Sequence, residues 1–494
     1  MEYQFETNSV ENVTAKSLVL FVDQFEKVSN HRLRDIDKAS NGSVTALFDS
    51  GEFSGKINET ATILKPIGYN CDRIILVGLG ERKNRTADSF RKAAGTVSRD
   101  IGLNASSRVA FCMEKTADKT FFQAAIEGFL LGRFKINKYK SKSKEKEKIK
   151  KLLFVTDKAR IKKNMTAAVE RGIIIAEGQN GVRDLSSAPS NFLTPRDLAN
   201  KAAALAKEYK FSCKIMDEKE IAREKMGALL SVAKGSDEPP RFIVLHYKGA
   251  AAKVKHIVLV GKGVTFDTGG ISIKASLNMH EMKGDMTGSA VVLMSLVTAA
   301  RLKLPLNIVV LIPSTENMPS AKATKPGDIC TSRKGLTIEN INTDAEGRLI
   351  LADALDYANK FKPQAVIDVA TLTGATLFSL GYEGAPIFGN NPNLMNKIKK
   401  ASARTSERVW EFPIWQEYRD AMKSSIADLR NSGSRDAGTC KAAAFLEYFI
   451  GDYNWAHIDI AYVDIEINGR PYIPKGATGI GMRMLVDMLI NWKK

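Results

Sequence analysis

Short, largely apolar runs recur along this 494-residue chain, at 73–78, 242–245, 256–260, 308–312, 365–369 and 455–460. A strand that is apolar at successive positions has no face to offer to water, so it must be covered on both sides. The stretches at 87–101, 166–182, 288–302 and 349–361 read as helices. Strands alternating with helices give a layered α/β architecture. The chain exceeds the roughly 100–200 residues of one ordinary domain. A Ser-, Pro- and Asn-rich stretch at 186–195 follows the helix at 166–182 and reads as a hinge. We therefore expect a smaller N-terminal α/β domain over 1–165, a linker helix and hinge over 166–190, and a larger C-terminal α/β domain with a central mixed sheet over 191–494.

Cys71, Cys112, Cys213, Cys330 and Cys440 stand far apart with no Cys-x-x-Cys pair, against both a disulfide framework and a zinc knuckle. The N-terminus, Met1-Glu2-Tyr3-Gln4-Phe5-Glu6, is acidic, and no secretory signal is visible. No apolar run reaches the ~18 residues of a membrane helix. A cytoplasmic protein with no membrane partner is the expectation. Net charge is +18, half of it within residues 1–160, which hold 29 basic and 20 acidic side chains. Eight lysines crowd 138–151 beside Glu145 and Glu147, a pattern of solvated loops in which Tyr139 is the single ring available for stacking on bases. The basic surface leaves nucleic acid open as a partner, and a DNA-binding or regulatory role as the alternative function. Gly78-Leu79-Gly80 lacks the third glycine of a dinucleotide fingerprint and reads as a plain strand-to-helix turn.

In open α/β sheets, ligands gather beyond the carboxyl ends of strands. After 256–260 comes Gly261-Lys262-Gly263-Val264-Thr265-Phe266-Asp267-Thr268-Gly269-Gly270, with Lys274 close behind. Met282-Lys283-Gly284-Asp285-Met286 then leads into the helix at 288. A strand near 336–341 runs into Asn342-Thr343-Asp344-Ala345-Glu346-Gly347-Arg348, and the strand at 365–369 runs into Ala370-Thr371-Leu372-Thr373-Gly374. Asp344 and Glu346, two apart at a strand-to-helix turn, can point toward one spot. Asp267 and Asp285 lie on glycine-flanked loops that let backbone approach a ligand closely. Four carboxylates beside buried strand ends repel one another unless cations compensate, and hard divalent ions with oxygen ligands would do so. Taken singly, Asp285, Asp344 and Glu346 could instead cap the helices that follow them. His31, His246, His256, His280 and His457 show no HExxH spacing, and His457, on an apolar run, reads as a core residue. Neither a GxSxG elbow nor a phosphate-binding loop is present.

The motifs at 261–270, 282–286 and 342–348, together with Glu316-Asn317-Met318-Pro319-Ser320 and Asn431-Ser432-Gly433, resemble the leucyl aminopeptidase (cytosol aminopeptidase) family, two-metal peptidases of family M17. The likeness is detailed over roughly 165–490 and general before that. It implies a macro-domain-like N-terminal domain and a metallo-exopeptidase that removes leucine and other apolar N-terminal residues during intracellular peptide turnover. Two divalent ions, Mn2+ or Zn2+, would activate the hydrolytic water. The resemblance places one ion on Asp267, Asp344 and Glu346, and the second on Lys262, Asp267, Asp285 and Glu346. Lys274 and Arg348 take the catalytic positions, Arg348 with a bicarbonate, while Met282, Thr371, Leu372 and Gly374 take substrate positions. The implied partners are peptides with a free N-terminus and, as a homohexamer, further copies of the chain. Ala321, Lys334, Ser434 and Asp436 depart from the family pattern and bear on loops and specificity, since none is a ligand.

Overall fold

A computed structural model describes residues 2–493 apart from 8, 27, 29, 100–106, 115–116, 142–148 and 157–162. Half of the lysine run at 138–151, residues 142–148, therefore lies outside the described residues. The chain forms two compact units, Met1–Glu177 with Asn468–Lys475, and Gly178–Ile467 with Gly476–Lys494. Among the described residues no helix is long and apolar enough to cross a membrane.

In the first unit, strands β1 (Glu2–Glu6), β2 (Ser17–Val22), β3 (Thr60–Leu64), β4 (Arg73–Gly78), β5 (Arg108–Cys112) and β6 (Lys151–Val155) form one sheet in the order β1-β6-β5-β2-β4-β3. All neighbours are parallel except the antiparallel edge pair β3–β4. Alternate residues of β2 face opposite layers. Val19 and Phe21 pack with the helices Ala87–Ser98 and Lys119–Gly132, and Leu18, Leu20 and Val22 pack with the layer holding Leu33, Ile36 and Val44. That two-sided burial is the physical reason for the apolar run.

The second unit holds β7 (Ser212–Met216), β8 (Arg241–Lys248), β9 (Ile257–Gly261), β10 (Gly263–Asp267), β11 (Asn307–Asn317), β12 (Ile329–Thr331), β13 (Thr337–Glu339), β14 (Ala365–Ala370), β15 (Ala385–Gly389), β16 (Val409–Glu411), β17 (Leu429–Arg430) and β18 (Asn454–Asp459). Its central sheet runs β16-β15-β18-β14-β9-β11-β8-β7, with β10 also paired to β11. The sheet is mixed, as expected: β18, β14, β9 and β11 are parallel neighbours, and β8 and β15 run against them. β11 spans eleven residues because its first half pairs with β9 and its end with β10. Lys262 sits at the break between β9 and β10 and is fastened by its N–H to Val369 O at 3.1 Å.

One expectation changes. The strand near 336–341 shortens to Thr337–Glu339 and belongs to a separate three-stranded sheet, β12-β13-β17. Beyond it, the N–H groups of Ile341 and Asn342 turn to the side-chain oxygen of Asn431, at 2.8 and 3.3 Å, so the chain leaves the ladder early. The division between units falls inside the 24-residue helix Lys163–Ser186, at Glu177/Gly178, and the stretch at 186–195 lies within the second unit. Its polar residues serve local turns and caps there: Thr194 and Asp197 exchange reciprocal hydrogen bonds at the start of helix Pro195–Tyr209.

Candidate metal centre

The carboxyl ends of the parallel strands converge on one edge of the central sheet, as open α/β sheets dictate. β9 delivers Lys262, β10 delivers Asp267, β11 ends at Asn317, β14 runs into Thr371–Gly374, and β18 ends at Asp459. Asp285 precedes helix Thr287–Arg301, and Glu346 precedes helix Gly347–Ala358. Neither acts as a side-chain helix cap, so the capping alternative fails for both. Their carboxylates instead meet the same lysine.

Lys262 is 3% exposed, and its Nζ lies 2.8 Å from Asp285 Oδ1, from Glu346 Oε1 and from the Thr371 carbonyl oxygen. Space for it depends on Gly347, where a Cβ would stand 2.6 Å from Lys262 Cε and 2.7 Å from Nζ. Lys274 Nζ lies 2.8 Å from Asp267 Oδ2 and also contacts Asp344 Oδ1. Two ammonium groups therefore separate four carboxylates, answering the repulsion inferred from the sequence. One oxygen each of Asp267, Asp344 and Glu346 lies within 4.8 Å of the other two.

Supporting bonds fix these oxygens. Asp267 Oδ1 accepts from Gly269 N and Asn317 Nδ2, both at 2.8 Å. Thr371 Oγ1 donates to Asp285 Oδ1 at 2.8 Å. Asp459 accepts from Leu372 N at 3.0 Å and from Thr373 Oγ1 at 2.6 Å, holding the loop after β14. Arg348 donates from Nη1 to Asn431 O at 2.7 Å, and its Nε is buried without a partner. Asn317 and Asn431 stand within the motifs without a local signal of these tasks, and Asp459 carries none at all.

The charges shift accordingly. Burial pushes Asp267 up to about 6, helped by Glu346 and opposed by Lys274 and Lys262. Burial likewise raises Asp285 well above the usual carboxylate range against the pull of Lys262, and raises Asp344. For Glu346 the opposing lysines win over burial and hold it low. Burial alone would deprotonate Lys262 and Lys274, but the surrounding carboxylates hold both well above the ordinary lysine value. Burial lowers Arg348 to about 10.

Of the residues expected at the substrate, Thr371 is committed to Asp285, and Leu372 packs its side chain against the hydrophobic core. Gly374 leaves open space, the Tyr462 hydroxyl standing 3.9 Å from where its Cβ would be. Met282 lies in the short 3-10 helix Met279–Gly284, close before Asp285. Away from the cluster, Lys334 donates to the carbonyls of Tyr448 and Ile450, and Lys441 holds Ser434 and Asp436.

This donor set fits hard divalent cations: clustered carboxylates, a lysine amine, and a buried Asp285 Oδ2 that has no hydrogen-bond partner. The family models agree with the geometry. Residues 180–486 match the catalytic domain of the cytosol aminopeptidase family, and residues 19–143 match its N-terminal domain. A probable cytosol aminopeptidase of Geobacter sp. (strain M21) is 42% identical over 484 residues, covering 98% of each chain. One from Aromatoleum aromaticum is 41% identical over 502 residues, covering 99% of this chain and 98% of that one. Among solved structures, the bottromycin maturation enzyme BotP is similar with a TM-score of 0.85 at 29% identity, over 97% of this chain and 99% of that one. BotP in complex with Mn gives 0.86. The chain belongs to the cytosol aminopeptidase family. It is a metal-dependent peptidase, a hydrolase acting on peptides.

Proposed function

We propose that the chain is a two-metal aminopeptidase that releases leucine and other apolar residues from peptide N-termini. The observation that carries the reading is the meeting of Asp267, Asp285, Asp344 and Glu346 around Lys262 and Lys274 at the carboxyl edge of the sheet. Asp267, Asp344 and Glu346 would hold one ion, and Lys262, Asp267, Asp285 and Glu346 the second. When bound, Mn2+ or Zn2+ supplies a nucleophile at neutral pH by lowering the pKa of water, and polarises the scissile carbonyl.

The chain's own groups do the rest. Lys262 serves as a ligand only once its amine has lost a proton, because an ammonium has no lone pair. Lys274 keeps its proton among carboxylates and donates to the oxygen that gains negative charge at the scissile carbon. Arg348, anchored by Asn431 and with Nε free, binds a small anion such as bicarbonate next to the reacting groups. Met282, Thr371, Leu372 and Gly374 line the pocket for the first side chain, methionine adapting to several aliphatic shapes. The free α-amino group of the substrate, drawn to the same acidic edge, restricts cleavage to the first peptide bond. We place the enzyme in cytoplasmic peptide turnover as a homohexamer.

The test is hydrolysis of leucyl-, methionyl- and aspartyl-arylamides beside an N-acetylated leucyl-arylamide. Leucyl and methionyl substrates are expected to be cleaved fastest and the blocked substrate not at all. Faster aspartyl cleavage would contradict the apolar preference, and cleavage of the blocked substrate would contradict exopeptidase action.

A further inference from the structure

A carboxylate that this mechanism does not use stands in the wall of the same site. Asp464 lies at the end of the turn at 461–464, just beyond β18, and its N–H bonds to Ile460 O at 3.1 Å. Ile460 N in turn bonds to Ala370 O at 2.8 Å, which ties this turn to the segment Thr371–Gly374. Asp464 Oδ2 lies 3.7 Å from where a Cβ on Gly284 would stand, one residue from Asp285. The Thr287 hydroxyl donates to Gly284 O at 2.6 Å and, more weakly, to Asp464 Oδ2 at 3.5 Å.

Among the described residues no cation pairs with this carboxylate, and none is among the main influences on it. Burial and the charge of Asp459 push it up to about 7, with hydrogen bonds the only opposing influence. A half-buried carboxylate without a counter-charge is costly, and such groups concentrate at functional sites. The surroundings also favour a cation. Tyr462, two residues earlier, adopts a left-handed backbone with φ of 66°, places its hydroxyl by Gly374, and sets its ring edge-on to Tyr382 at 5.9 Å. Aromatic rings and a carboxylate carried on the same turn region complement an ammonium or guanidinium group on an apolar stem.

We propose that Asp464 extends the first-side-chain pocket to basic residues, so that peptides beginning with lysine or arginine are substrates alongside apolar ones, the stem lying along the apolar wall and the charged end pairing with Asp464. This rests on the pocket assigned under the proposed function.

Metal-loaded full-length enzyme and its Asp464→Asn variant would be compared on lysyl-, arginyl-, leucyl- and methionyl-arylamides. The readout is the ratio of kcat/KM for lysyl over leucyl substrate. The wild type is expected to cleave the lysyl substrate, and Asp464→Asn to lower the ratio by roughly 30-fold or more, the effect of removing one member of a desolvated charge pair. Asp464→Glu, which keeps the charge if the amide variant fails to fold, is expected to keep the ratio within about threefold. A wild type that cleaves leucyl but not lysyl substrate overturns this inference alone. So does a ratio unchanged in Asp464→Asn. Failure to cleave any of the four substrates overturns the proposed function and the inference with it.

Discussion

Lys262→Met preserves the length of the side chain and removes its charge. In the metal-free protein this takes away the cation lying 2.8 Å from both Asp285 and Glu346 at 3% exposure. Deleting one partner of a buried ion pair costs about 3–5 kcal/mol, because the remaining charge stays buried and unpaired. Asp285 is already held well above the usual carboxylate range by burial, so in the variant it takes up a proton, and the cost falls toward the lower figure. About 3 kcal/mol corresponds to a drop in Tm of roughly 6–12 °C at 2–4 °C per kcal/mol for a large domain. Calorimetry in excess chelator reads this directly. Adding Asp285→Asn to Lys262→Met removes one of the stranded carboxylates and should restore about half of the loss, as coupled neighbours do in a double-mutant cycle. A chelated Lys262→Met protein melting within about 1 °C of the wild type would refute the reasoning. A double variant no more stable than the single one would refute it equally.

Lys274→Met should leave the ions bound yet lower kcat by roughly 10²–10³, the usual effect of losing one donor to a developing oxyanion; metal analysis beside steady-state kinetics checks it, and loss of metal with kcat per bound ion unchanged would reverse the roles of the two lysines. His457 and Asp368 form a buried pair in which Asp368 outweighs burial and raises the imidazole above its ordinary value. Their contribution to stability is thus complete below about pH 6.5, where unfolded histidine is also protonated, and is lost as pH rises through the higher folded value. The Tm gap between wild type and His457→Gln should narrow from pH 6 to pH 9, and a constant or widening gap would contradict the pairing.

Much of the second unit was legible because a strand covered on both faces is largely apolar: the run at 365–369 is β14 to within one residue, its Asp368 being paired inside with His457. β11 was legible only in its first half. Its end, Pro313–Asn317, is polar, and it stays extended because β8 and β10 pair with it there. β13 was misplaced for a related reason, since three residues carry no periodicity and its partner β17 comes from about ninety residues later. At the site, the carboxylates and lysines stood out because charged residues at strand ends are conspicuous. Their organisers did not: Asn317 reaches Asp267 across 50 positions, and Asp459 reaches Leu372 across 87. No local pattern in the sequence reports such distances. Leu372, expected at the substrate from its motif, is partly buried and packs against the core, a contact its motif does not report.

Asp267 is central to the account, because it is assigned to both ions and touches both Asn317 and Lys274. The most direct measurement is metal content after dialysis, taken together with leucyl-arylamide hydrolysis, for the wild type and for Asp267→Ala. The account predicts two ions per wild-type subunit, activity abolished by chelation and restored by Mn2+ or Zn2+, and neither two ions nor activity recovered in Asp267→Ala. An Asp267→Ala enzyme with two ions and full activity would contradict it.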